Sequence, residues 1–289
     1  MSERRWLTET AFDHMRLSFE VARALREEHS PQQRLDLIEN PLFGKVLMLD
    51  GATQVTTADE FIYHEMMAHV PILAHGAVRD VLIIGGGDCG LAEEVLKHPD
   101  IRQVLQVEID AQVIAFAREH FAEFNAAAFA DPRLRIEIAD GAEFAATTDR
   151  RFDVILIDST DPAGPGAVLF TKGFYTSLRR CLNPGGIVVT QSGVPFVQRD
   201  EFINAMRNLA QVFQVADCYV LATPSYVGGH MALGWGSVDR DPREPDSETL
   251  AERASALATR YYTPEVHRAA FALPRYILDA KIAAIAMDR

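Results

Sequence analysis

The chain is poor in three things, and each scarcity narrows what it can be. It has 3 cysteines in 289 residues, at Cys89, Cys181 and Cys218. Their odd number and wide separation give no metal-like pair spacing and no disulfide framework, and predict reduced thiols in a cytoplasmic protein. No apolar stretch approaches the ~20 residues that span a bilayer, and the opening MSERRWLTET lacks the apolar core of a signal peptide. A membrane is therefore not an expected partner. Basic residues are short as well: Lys+Arg number 28 against 41 Asp+Glu, a formal charge of −13. Nucleic acid, which is held by clustered Lys and Arg, is not expected either. An acidic balance of this kind is compatible with steering a cationic substrate.

What remains is an ordinary globular composition, 48% hydrophobic and 24% charged. The patterning changes near residue 75. Before it, RLDLIEN (34–40), KVLMLDG (45–51) and ATQVTTADE (52–60) alternate in part and are bounded by Asn40-Pro41, Gly44 and Asp50-Gly51. These predict a small antiparallel β-domain. Glu60 to Ala74 carries Phe61, Met66, Val70 and Leu73 near helical spacing, which predicts a connecting helix. The expected division is residues 1–75 and 76–289.

From residue 80 onward, strands expected at 80–84, 103–108, 134–139, 153–158 and 186–191 alternate with helices expected at 90–98, 111–122, 171–182 and 198–213. That order predicts an α/β, doubly wound, mostly parallel Rossmann-like sheet of the class I methyltransferase type. The runs 215–222 and 230–236 are joined only by a turn, TPSYVGG, and are expected to pair antiparallel at one edge. The last forty residues are Ala-rich and expected to be helical, broken at Pro264 and Pro274.

The chemistry gathers where the strands should end. VLIIGGGDCG (81–90) is an apolar run closing in Gly85, Gly87 and Gly90, spaced as G-x-G-x-x-G, so that backbone can turn tightly and admit a ligand. Glu108 closes the next run, where a carboxylate can accept from two ribose hydroxyls. Asp88 inside the loop is the unusual residue. It would oppose a pyrophosphate, which prefers bare N–H groups at a helix N-terminus, and it suits a cation. RLRIEIADG ends at Asp140-Gly141; FDVILIDSTDP ends at Asp158, with Asp161 following. Five carboxylates are thus expected on one rim, an arrangement that asks for a cationic ligand. Taken singly the pieces have plainer readings. A glycine loop followed by an acid also describes a site for nicotinamide dinucleotide. Asp140-Gly141 reads as a turn, and Asp158 to Pro162 as a helix-capping loop.

Taken together, the residues resemble the spermidine synthases, the polyamine aminopropyltransferases. The likeness runs nearly end to end, through GKVLMLDGATQVTTADEFIYHEMMAHVP, VLIIGGGDCG, VEID, ADG, DSTDPAGPG, LFTKGFY, LNPGGIVVTQ and YYTPEVHRAAFALP. The resemblance implies decarboxylated S-adenosylmethionine as co-substrate, with no metal or other cofactor, and a diamine, usually putrescine, as acceptor. It implies nucleoside contacts from Gln33, Gly85, Gly87 and Glu108, adenine contacts from Asp140 and Gly141, and a pocket wall at Pro165. Asp88 would face the donor ammonium, and Tyr63, His64, Asp161 and Tyr226 would line the amine channel. Asp158 would accept the proton. A homodimer or higher homo-oligomer through the N-terminal strands is implied too. The chain departs from the family pattern at Cys89, where glycine is usual, at Glu93, where arginine is common, and at Ala167-Val168. Competing activities are amine N-methylation, nicotinamide-dependent dehydrogenation and non-enzymatic polyamine binding.

Two further features read as structure. His64-Glu65 and His69 suggest a zinc-protease pair, but five positions on a helix separate the histidines by ~140°. Cys89 has no histidine tied to it in the sequence and is not expected to be a nucleophile. His267 and Tyr261-Tyr262 are expected to be C-terminal packing.

Overall fold

The computed structural model describes residues 4–12, 14–160 and 164–286, and for 10–12 and 164–165 the backbone alone. The N-terminal strands form two sheets. β1 (Trp6–Phe12) and β2 (Met15–Glu20) make an antiparallel hairpin, and β3 (Arg23–His29), β4 (Arg34–Asn40), β5 (Gly44–Leu49) and β6 (Ala52–Thr56) make a four-stranded antiparallel sheet. The β5–β6 turn is Asp50-Gly51, both with positive φ (48° and 81°), the left-handed pair that matches strand twist in a two-residue hairpin.

A seven-stranded sheet follows: β7 (Asp80–Gly85), β8 (Gln103–Glu108), β9 (Leu134–Ile138), β10 (Phe152–Asp158), β11 (Leu182–Gln191), β12 (Val215–Leu221) and β13 (Met231–Ser237), in the spatial order β12-β13-β11-β10-β7-β8-β9. The β9-β8-β7-β10-β11 block is parallel. β13 runs antiparallel to both neighbours. The 215–222 and 230–236 runs therefore pair as expected, but β13 lies inside the sheet and β12 forms the edge. Val81–Ile84, Val104, Leu105, Val107 and Val154–Ile157 are almost wholly buried, as a parallel sheet covered on both faces requires.

Helices α1 (Glu60–His75), α2 (Gly90–Leu96), α3 (Ala111–His120), α4 (Ala122–Ala130), α5 (Gly141–Thr147), α6 (Lys172–Arg180), α7 (Arg199–Val212), α8 (Ser247–Ala254), α9 (Pro264–Ala270) and α10 (Arg275–Ala286) cover it. The helix expected over 111–122 is α3, which ends at His120 because Phe121 leaves helical geometry (φ −121°) while its ring is buried. α4 and α5 fall where the sequence offered no helical periodicity.

Two packing relations position the site. Leu35, Leu37, Leu47, Leu49 and Val55 pack on Val113, Phe116 and Phe121, which seats the N-terminal sheet on α3 at the end of β8. Every residue of α1 except Phe61 is buried, and its apolar side chains share one core with β7, β10, β11 and β12.

Burying α1 also buries Glu65, 0% exposed. Its carboxylate accepts from the backbone N–H groups of Arg260, Tyr261 and Tyr262 at 2.7, 2.9 and 2.7 Å. Tyr262 packs edge-on to His69, and its hydroxyl lies 2.9 Å from His267 Nδ1. Glu65 is therefore the anchor of the C-terminal region. Replacing it by Ala strands three N–H donors, each worth roughly 1–3 kcal/mol when left unpaired in the interior. Glu65→Ala is expected to lower unfolding free energy by on the order of 3 kcal/mol, measured by urea denaturation. A loss below about 1 kcal/mol would show that the 260–262 segment is held by other contacts.

Candidate active site

The glycine loop is built by close approach. Gly85 and Gly86 take φ of 85° and 65°, and Gly86 N–H donates to the Asp158 carbonyl at 2.8 Å. A Cβ on Gly85 would lie 2.0 Å from that same carbonyl oxygen, so β7 can meet the end of β10 only with glycine there. Gly87 passes between Val113 and Glu108, where a Cβ would stand 2.6 and 3.1 Å from their side-chain atoms. From below, the wholly buried Gln106 donates through Nε2 to the carbonyls of Gly85 (3.0 Å) and Gly86 (2.5 Å). From the side, Asn125 Nδ2 donates to the Asp88 carbonyl (2.8 Å) and to that of Ala117 (3.1 Å).

Three carboxylates meet around this loop. Asp88 Oδ1 accepts from Gly90 N–H at 2.8 Å. Glu108, buried at the end of β8, accepts from Asp110 N–H at 2.9 Å. Burial, with Asp110 and Asp158 nearby, pushes its pKa up to about 7. Asp158, half-buried at the end of β10, accepts from the Tyr63 hydroxyl at 2.9 Å. Burial first and Asp88 second raise its pKa to about 6, against the pull of His64 and Tyr63. Burial and Asp158 hold the Tyr63 phenol well above 10, so it stays a donor.

The N-terminal sheet contributes Gln33. Its Nε2 reaches Asp110 Oδ2 at 3.2 Å, and Ser30 Oγ reaches the same oxygen at 2.6 Å. Asp110 also caps α3 through Gln112 N–H, so one carboxylate ties Gln33 to the Glu108 corner. On the other side, Tyr226 stands edge-on to Tyr63, centroids 6.1 Å apart. Its hydroxyl donates to the Gln54 carbonyl. Asp59 holds that segment, accepting from Thr56 Oγ1 (2.6 Å) and Ser225 N–H (2.7 Å). His64 places Nδ1 2.9 Å from Glu60 Oε2 and Nε2 3.6 Å from Asp88 Oδ2.

Asp140 is exposed and is the N-cap of α5, accepting from Ala142 and Glu143 N–H at 2.7 and 3.0 Å. The plain-turn reading of Asp140-Gly141 gives way to a helix start, with Gly141 a glycine because a Cβ would meet Ile84 at 2.3 Å. Asp161 lies outside the described residues. So does the Pro165 side chain, whose backbone belongs to the 3-10 helix Gly164–Phe170. The crowding of carboxylates is thus described for Asp88, Glu108 and Asp158.

Two of the departures are packing residues. Cys89 has φ 61°, is buried, and points its thiol at Gln106 Oε1 (3.5 Å). Burial and the Asp88 charge push that thiol up, away from a reactive thiolate. Glu93 accepts from Ala128 N–H at 2.6 Å and joins α2 to α4. Val168 is 43% exposed. His69 faces His98 (3.0 Å) and Glu94 (3.2 Å), away from His64 and its carboxylates. Among the described residues no group of three or more His, Cys, Asp or Glu is placed to hold a metal ion.

Gln106, Asn125, Glu60 and Asp59 were not picked out from the sequence. The signal available for Gln106 was a lone amide inside the apolar run VLQVE. Asn125, in the Ala-rich AEFNAAAFA, had none.

A model of the spermine/spermidine synthase domain matches residues 60–243, and one of the spermidine synthase tetramerisation domain matches residues 5–57. A polyamine aminopropyltransferase of Ruegeria sp. is 52% identical over 279 residues, 96% of this chain and 98% of the relative. A crystal structure of a spermidine synthase in complex with the transition state analogue AdoDATO superposes with TM-score 0.92 at 37% identity, covering 98% of each chain. The spermidine synthase of Thermotoga maritima gives TM-score 0.89 at 35% identity, again over 98% of each chain. The chain belongs to the spermine/spermidine synthase family, the polyamine aminopropyltransferases.

Proposed function

We propose that the protein transfers the aminopropyl group of decarboxylated S-adenosylmethionine to a diamine, putrescine in the first instance, giving spermidine and methylthioadenosine. The observation that carries this reading is the gathering of Asp88, Glu108 and Asp158 around one glycine loop, with Tyr63 bonded to Asp158. In this reading Gln33 and Glu108 hold the nucleoside, Glu108 on the ribose hydroxyls, and Gly85 and Gly87 let the donor approach the loop. Asp140, Gly141 and Pro165 border the adenine. Asp88 takes the donor ammonium, while Tyr63, His64, Asp161 and Tyr226 line the acceptor channel. The protein works as a homo-oligomer joined through its N-terminal strands.

The reaction is a displacement. The acceptor nitrogen attacks the aminopropyl carbon bound to sulfur, the C–S bond breaks, and its electron pair neutralises the sulfonium. The sulfonium already activates the leaving group. The barrier lies in the nucleophile: an alkylamine of pKa ~10.4 costs about 4.6 kcal/mol to deprotonate at pH 7. Asp158 receives that proton, and its pKa of about 6 makes it a better base than an ordinary aspartate. Tyr63 fixes one of its oxygens. Alignment of nitrogen, carbon and sulfur supplies the rest.

Three outcomes are expected. Asp158→Asn folds and binds methylthioadenosine but loses about 10²–10⁴-fold in turnover; turnover near wild type would remove Asp158 from the proton transfer. Methylthioadenosine, which has no ammonium, reports on Glu108. Ribose hydroxyls favour the carboxylate, so affinity should rise with pH through the Glu108 pKa of about 7 and level off above it. Glu108→Gln should flatten that profile and weaken binding by roughly 1–3 kcal/mol at pH 8. Calorimetry across pH 6–8 checks both, and an unchanged profile in the variant would place the ribose elsewhere.

Donor choice tests Asp88. Intact S-adenosylmethionine carries an extra carboxylate, and two unit charges at 4 Å repel by about 4 kcal/mol at an effective dielectric of ~20. Wild type should prefer the decarboxylated donor by at least ~100-fold, since ~1.4 kcal/mol is tenfold. Asp88→Asn should narrow the gap in competition binding. Equal preference in both proteins would favour the methyltransferase reading.

A further inference from the structure

His64 has both ring nitrogens committed to carboxylates. Nδ1 lies 2.9 Å from Glu60 Oε2, one turn earlier on α1, and Nε2 lies 3.6 Å from Asp88 Oδ2 in the glycine loop. The ring is 3% exposed. A neutral imidazole carries one N–H and one lone pair, and here the lone pair would point at a carboxylate oxygen, an acceptor facing an acceptor. With both nitrogens protonated, both contacts are attractive. The surroundings agree. Asp158 at the end of β10 acts on the ring through space, α4 presents the Phe124 ring, 6.1 Å between centroids, and Arg260 stands beyond Glu60, 3.8 Å from Oε1. No described side chain between Glu60 and Asp88 supplies a positive charge except His64.

We infer that His64 is a resident imidazolium occupying the ammonium's place beside Asp88, and that a cationic ligand arriving at Asp88 drives its proton to solvent. The inference rests on the assignment of the donor ammonium to Asp88. The exchange balances: one ligand charge enters, one proton leaves, and the acid cluster keeps its compensation. Burial by itself would strip the ring, but Asp88 and Glu60 together hold its pKa well above 6.5. A neutral His64 then accepts where it had donated, so one side chain serves an anionic empty site and a cation-filled one. Gly90 lets the ring approach, since a Cβ there would stand 2.3 Å from His64 Cε1.

The protonation state can be read directly. The whole protein, with histidines selectively labelled with ¹⁵N, is observed at pH 7.5, with His64→Gln assigning the resonance. Both His64 nitrogens should show N–H character in the empty protein and with methylthioadenosine. Decarboxylated S-adenosylmethionine should convert the ring to a single-N–H form. Affinity for that donor should rise with pH by up to about tenfold per unit over the window in which the empty ring is charged. A neutral ring in the empty protein overturns the inference. So does a ring that stays doubly protonated with the donor bound, or one that loses its proton to methylthioadenosine. The functional reading fails separately, by absence of aminopropyl product when donor and putrescine are supplied together.

Discussion

Like charges that must sit close together in a poorly hydrated place are the constraint under which this site is built. Asp88, Glu108 and Asp158 approach one another where β7, β8 and β10 end, and Glu60 on α1 joins Asp88 through His64. A protein has three ways to relieve such a cluster: protonate some members, supply a cation, or wait for one. All three bear on this site. Asp158 and Glu108 titrate near 6 and 7 in place of the usual carboxylate range, His64 stands between Glu60 and Asp88, and the proposed ligands are cations. Both carboxyl pKa values are raised on folding. The associated stability is present at low pH and fades as pH rises through about 6 to 7, the reverse of the usual carboxylate behaviour. The surrounding neutral groups keep the geometry. Gln106 and Asn125 hold the loop that carries Asp88, and Tyr63 holds Asp158.

Much of this was legible because it was local. Continuous apolar runs such as VLII and VILI could only be buried strands, and their alternation with helices implied a parallel sheet whose C-terminal edge collects the loops. The glycine loop, Glu108 and Asp158 fall at those strand ends. Legibility stopped where partners are remote in sequence. Cys89 to Gln106, Glu65 to Tyr262, and Gln33 to Asp110 are contacts that no periodicity announces. α5 was missed because a seven-residue helix is too short for a recognisable stripe, although its cap, Asp140, had been noticed for another reason. The insertion of β13 between β11 and β12 was likewise invisible, since two antiparallel runs joined by a turn pair the same way at either position.

The departures from the family pattern bear on stiffness more than on chemistry. A non-glycine residue at φ 61° is strained on the order of 1 kcal/mol. Cys89 offsets it by filling a buried gap and bonding to Gln106. Glu93 accepts an N–H of α4, and burial raises its pKa. These contacts tie the glycine loop to β8 and α2 to α4.

Tyr226 sits on the hairpin between β12 and β13, which is fastened to β6 through Gln54 and to the start of α1 through Ser225 and Asp59. The glycine loop, Glu108 and Asp140 are carried by β7, β8 and β9, on the other side of β10. Asp158 lies at the seam. In the proposed reading the acceptor wall and the nucleoside cradle thus lie on opposite sides of one strand, and the connection that carries the first is no part of the strands that carry the second.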